Sequence, residues 1–116
     1  MALIPMEKCG GGTLGTPEEI GTITVNGTTY TKYRVIVDFG TLPNNDTKTA
    51  STGVTNFHRL LSLSGVAFSS GNWGESLPLN VGNLSAALSL MNQNTVRVVT
   101  NYDATAYSAY ITIEYY

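Results

Sequence analysis

The side chains best suited to chemistry in this 116-residue chain are one histidine, one cysteine and eight carboxylates, and their placement argues against catalysis. His58 falls on a predicted strand opposite Phe57, Leu61 and Leu63, with no Gly-x-Ser-x-Gly elbow or comparable nucleophile beside it. It reads as a partly exposed strand residue. Cys9 sits in a Gly-rich leader next to Lys8, and as the only cysteine it excludes an intrachain disulfide and a tetrathiolate zinc site. It reads as an inert thiol, with a bond between chains still conceivable. Glycoside hydrolysis needs two carboxylates flanking one bond. Glu75 and Asp103 lie in separate predicted loops and read as solvated acids. Asn44, Asn45 and Asp46 offer oxygen ligands but a single charge, which suits a turn better than a calcium loop. No catalytic residue, metal ligand set or cofactor is expected.

Recognition is better supported. Sugars are held by an aromatic face, on which the apolar side of a pyranose stacks, together with a few placed polar groups. The stretch "SGNWGES" offers Asn72, Trp73 and Glu75 in one irregular loop, and "NYDATAY" offers Tyr102, Asp103 and Tyr107 in another. If both loops reached the same end of the fold they would form such a site. The plainer alternative is that Trp73 plugs the core and the tyrosines are ordinary sheet residues.

These loops must be carried by strands. Hydrophobic residues make up 42% of the chain and charged residues only 12%, so the surface is built largely from Thr, Ser, Asn and Gly. The six basic residues are scattered and the net charge is -2, which leaves no basic stripe for nucleic acid. No run approaches the roughly 20 apolar residues of a membrane span, so no membrane insertion is expected, and no export signal is legible. Residues 1–17, with Gly10, Gly11, Gly12, Gly15 and Pro17, read as a flexible leader ordered only when a partner holds it. Residues 18–116 form the single domain.

From Ile20 apolar and polar residues alternate around Asn26-Gly27, which predicts a tight hairpin with Tyr33, Val35, Val37 and Phe39 on one face. Gly40 ends that strand, and Pro43 with Asn44, Asn45 and Asp46 makes a connecting joint. "KTASTGV" predicts a short strand, and "FHRLLSLSGVAF" a longer one in which Gly65 marks a bulge or bend. "SSGNWGESLPLNVGN" reads as a long loop with an edge strand, "LSAALSLM" as a strand between turns, and "TVRVVT" and "YSAYITIEYY" as the last two. Roughly seven to eight short strands without an amphipathic helix predict an all-β, antiparallel β-sandwich or small barrel. In the last strand Ala109, Ile111, Ile113 and Tyr115 share the core face. Tyr110, Thr112 and Tyr116 share the other, a candidate subunit interface because Tyr is enriched in such contacts.

The ordered set "IGTITVNGTTYTKYRVIVDFGTLPNNDTKTASTGVTNFHRLLSLSGVA", closed by "VRVVTNYDATAYSAYITIEYY", resembles the C-terminal head domains of bacteriophage tail fibre and receptor-binding proteins. Shared features are a hairpin with a turn Gly, a Gly-x-Leu-Pro-Asn joint, a short strand ending in x-Gly-[Val/Ile], and an aspartate-containing turn before an aromatic-rich last strand. Ile23 and Thr52 stand where many such domains carry Trp and His. The resemblance implies a virion component made in the bacterial cytoplasm, a homotrimer, attachment to other virion proteins through residues 1–17, and non-enzymatic binding of a host surface saccharide. A head-fibre, decoration or tail accessory protein without a receptor role is the alternative.

Overall fold

The computed structural model describes residues 13–70 and 74–116. Cys9, Asn72 and Trp73 therefore lie outside the described residues. Alternation of apolar and polar residues along short segments produces strands throughout, and no helix occurs among the described residues. The strands in chain order are β1 (Glu18–Val25), β2 (Thr28–Thr41), β3 (Thr47–Ser51), β4 (Leu60–Phe68), β5 (Gly74–Leu77), β6 (Leu79–Val81), β7 (Leu84–Asn92), β8 (Thr95–Thr100) and β9 (Ser108–Tyr115). They form an antiparallel β-sandwich of a five-stranded sheet, β1-β2-β9-β4-β5, over a four-stranded sheet, β3-β8-β7-β6.

The hairpin between β1 and β2 turns on Asn26 and Gly27, whose φ angles of 50° and 83° are the left-handed pair that a two-residue turn requires. The core follows the strand period. Val35, Val37 and Phe39 of β2 and Ala109, Ile111, Ile113 and Tyr115 of β9 face Val96 and Val98 of β8 and Ala86 of β7, all buried.

Three local expectations change. The segment through Pro78 is divided into β5 and β6, which belong to different sheets, so the strand count among the described residues rises to nine. Proline has no N–H to give a ladder and falls at the crossing. Gly40 does not end β2; the strand continues to Thr41 past a register shift between Asp38 and Gly40. Gly65 is not a bend either, because the irregularity in β4 lies between Leu60 and Ser62 while Gly65 pairs regularly with Ile111. Its missing side chain has a packing reason: a Cβ there would stand 2.7 Å from Ile111 Cδ1.

The end of the leader is held by its own domain, since the Gly15 N–H donates to Ile36 O at 2.7 Å. Thr52, where the resemblance would put His, is buried. Its hydroxyl donates to Gln93 O (2.8 Å) and accepts the Val54 N–H (3.1 Å), tying the β3–β4 crossing to the opposite hairpin turn.

Candidate functional site

The joint at 41–46 and the loop at 101–107 are the two chain crossings at one end of the sandwich, and they are hydrogen-bonded to each other. Leu42 N–H donates to Tyr107 O (2.9 Å), Asn45 N–H to Tyr102 O (2.7 Å) and Ala104 N–H to Pro43 O (3.1 Å). The Thr100 hydroxyl adds a bond to Pro43 O (3.0 Å), and Asn44 bridges Asp103. Backbone groups that a loop would otherwise leave to water are paired across the joint. Pro43, which cannot donate, serves as acceptor. The joint therefore fixes the loop that carries Tyr102 and Tyr107.

Those two side chains reach the open edge where β5 and β6 part company. Tyr102, Tyr107 and Glu75 line a cleft of about 110 Å³ with Leu77, Leu79 and Leu84. Leu77 is buried at its floor, whereas Leu84 and the neighbouring Val81 are exposed at its mouth. Partial burial raises the Tyr102 phenol above its ordinary pKa, with smaller contributions from Tyr107 and the Glu75 carboxylate. A tyrosine phenol is protonated at neutral pH even at its ordinary pKa, so Tyr102 has its O–H to donate. A flat aromatic wall, an apolar floor and one carboxylate acceptor can hold a ring that has an apolar face and hydroxyl groups.

Of the six side chains expected to bind, the fold brings Glu75, Tyr102 and Tyr107 together in this cleft. Asp103 is turned to its own loop: its carboxylate accepts the Thr105 N–H (3.0 Å) and hydroxyl (2.6 Å), an Asx turn, and these bonds hold it below the usual carboxylate range. It shapes the loop and does not line the cleft. Asn72 and Trp73 fall outside the described residues, immediately before Gly74 at the start of β5.

The candidate interface residues separate. Tyr110 is exposed on the outer face of the larger sheet, between Asp38 and Val66, with its ring 4.9 Å from that of Phe68. Thr112 lies beside it between Ile36 and Ser64. Tyr116 instead joins a ring cluster with Tyr30 (4.9 Å) and His58 (6.2 Å) at the far end of β9. His58 has no nucleophile in this cluster; its ring packs 5.0 Å from Tyr30.

The second concentration of aromatic rings, at that far end, was not singled out by sequence reasoning. Its members come from β2, the segment before β4, the end of β9 and the residue after it, and Tyr30 and Tyr33 fall on opposite faces of their strand. The one local hint was the density of Tyr in the two strands. No group of three or more potential metal ligands occurs among the described residues. Comparison of the chain with protein families, with curated proteins and with solved structures found no match.

Proposed function

We propose that this chain is a non-enzymatic binding domain that recognises a cell-surface saccharide, of the kind that heads bacteriophage fibres. The observation that supports it is the convergence of Tyr102, Tyr107 and Glu75 on one cleft with an apolar floor. Glu75 is the one carboxylate lining that cleft among the described residues, since Asp103 is engaged by Thr105. Binding without hydrolysis is the chemistry such a set supports, because glycoside cleavage uses a pair.

The experiment is a glycan array read with the intact protein, followed by titration of the best saccharide against Tyr102→Ala and Glu75→Gln. Each variant is expected to weaken binding about tenfold, equivalent to about 1.4 kcal/mol, while the thermal unfolding midpoint stays within a few degrees. Unchanged affinity in both variants would remove the cleft from the reading. Turnover of a polymer lost in Glu75→Gln would make the domain an enzyme. An array without any bound saccharide would favour a structural virion role.

The same reading includes a trimer, in which the outer face around Tyr110, Val66 and Phe68 meets its symmetry mates. Tyr110 and Val66 are both exposed large apolar side chains on adjacent strands. Light scattering is expected to give three times the 12.4 kDa protomer mass, and Tyr110→Glu to give the protomer mass. A wild-type monomer would overturn the trimer.

A further inference from the structure

The far end of β9 holds a more open cleft, of about 390 Å³, whose walls are aromatic. Its rings form two groups. Tyr33, Tyr115 and Phe57 pack in series, with centroids 5.5 and 5.3 Å apart, and Tyr115 is buried beneath them. Tyr30, His58 and Tyr116 form the second group, 4.9 to 6.2 Å apart.

The segment that brings Phe57 and His58 to the site is fastened on both sides. Gln93, from the turn between β7 and β8, accepts the Phe57 N–H at 3.2 Å and donates to Thr55 O at 2.9 Å. The His58 and Arg59 N–H groups both donate to Tyr116 O, at 2.6 and 3.0 Å, and Tyr116 N–H returns a bond to Arg59 O at 3.0 Å. Rings held in this way lose little freedom when a ligand arrives, so more of the contact energy appears as affinity.

The polar groups around the rings select the ligand. Thr29, Thr31 and Asn56 supply hydroxyl and amide partners, and among the described residues no Asp, Glu, Lys or Arg side chain lines the cleft. No lysine or arginine side chain there meets an anion, and no Asp or Glu side chain meets a cation. A ring with one apolar face and several hydroxyls matches both the aromatic walls and the hydroxyl and amide groups of Thr29, Thr31 and Asn56.

We infer that this cleft is a second saccharide-binding site, taking a neutral pyranose stacked against the Tyr30, His58 and Tyr116 rings. The inference rests on the saccharide-binding reading of the domain, but its site is separate. The eight residues of β9 divide the two clefts, an extended span of about 25 Å. A polymeric glycan engaging both would bind with an avidity that neither cleft provides alone.

The test is an amide-resolved NMR titration of the intact protein with glucose, galactose and N-acetylglucosamine, up to about 50 mM so that millimolar Kd values are readable. Tetramethylammonium serves as the competing cationic probe. At least one neutral sugar is expected to shift the amides of Tyr30, His58 and Tyr116 with its own saturation curve. His58→Ala, at an exposed position, should weaken that curve about tenfold and leave shifts at Tyr102 and Tyr107 unchanged. Shifts confined to the Tyr102 loop would overturn this inference and leave the proposed function standing. Shifts confined to the Tyr30 cleft would uphold it and remove the first cleft. Shifts at neither, or a Tyr30 cleft that answers only to tetramethylammonium, would overturn it.

Discussion

Gly65→Ala is expected to destabilise the domain by about 3 kcal/mol, the cost of overpacking a dense core by one methyl. The new Cβ would stand 2.7 Å from Ile111 Cδ1, 3.1 Å from Tyr110 O and 3.4 Å from Leu77 Cβ. Ile111 is fully buried, so moving its Cδ1 aside repacks the core around it, and the Tyr110 O contact is with main chain of the β4–β9 ladder. A loss of this size is a large fraction of the 5–15 kcal/mol that typically holds a domain together, and the unfolding midpoint should fall by roughly 10 °C.

A double-mutant cycle isolates the cause. Ile111→Val alone should cost about 1 kcal/mol, because it deletes one buried methyl. It deletes Cδ1, the atom that meets the new Cβ. Gly65→Ala/Ile111→Val is therefore expected to cost about 2 kcal/mol instead of the additive 4, a coupling of about 2 kcal/mol. Rescue stays partial because Tyr110 O and Leu77 Cβ remain in place. Urea unfolding of the four proteins measures it. Additive losses would mean that the contacts with Tyr110 O and Leu77 Cβ, and not Ile111 Cδ1, set the cost.

Gly65 also marks how far local pattern carries. The Asn26-Gly27 hairpin, the buried row Val35, Val37 and Phe39, and the inward row of β9 were legible because each follows from residue type and a period of two. The phase of β4 was not. "LLSLSG" supports either register, and the slip between Leu60 and Ser62 leaves Leu60 and Leu61 about 40% exposed while turning Leu63 to the core. That choice is made by Ile113 and Tyr115 across the ladder, not by anything local. In the same way, the turn residues of the joint and of the 101–107 loop marked both as connections, yet nothing local says that they bond to each other. Glu75, Tyr102 and Tyr107 were recognisable as types suited to sugar; their meeting depends on where β5 and β6 separate. The Tyr30 cleft gathers rings from distant segments, which no periodicity reports.

The pairing of those two crossings makes Leu42→Ala the second large prediction, expected to cost about 3 kcal/mol. Leu42 is 1% exposed and is among the largest fully buried side chains, although it lies outside any strand. Its truncation leaves a void in the joint, and the joint holds the loop that carries Tyr102 and Tyr107. The loss should therefore appear locally as well as globally. In hydrogen exchange, the amides of Asn45 and Ala104, which bond across the joint, should lose more protection than the amides of Val35 and Ile113 in the central ladder. On the proposed reading, in which the Tyr102 cleft takes a saccharide, its affinity should fall several-fold at temperatures where the variant remains folded, because a loop that opens is competent for only part of the time. Leu42→Met, of similar volume, should cost less than about 1.5 kcal/mol and preserve both readouts. Uniform loss of protection across the sandwich with affinity intact would show that the joint is simply part of the core. Selective loss at Asn45 and Ala104 would show that the Gly40 to Asp46 segment, which has no chemistry of its own, sets the geometry of the loop that carries Tyr102 and Tyr107.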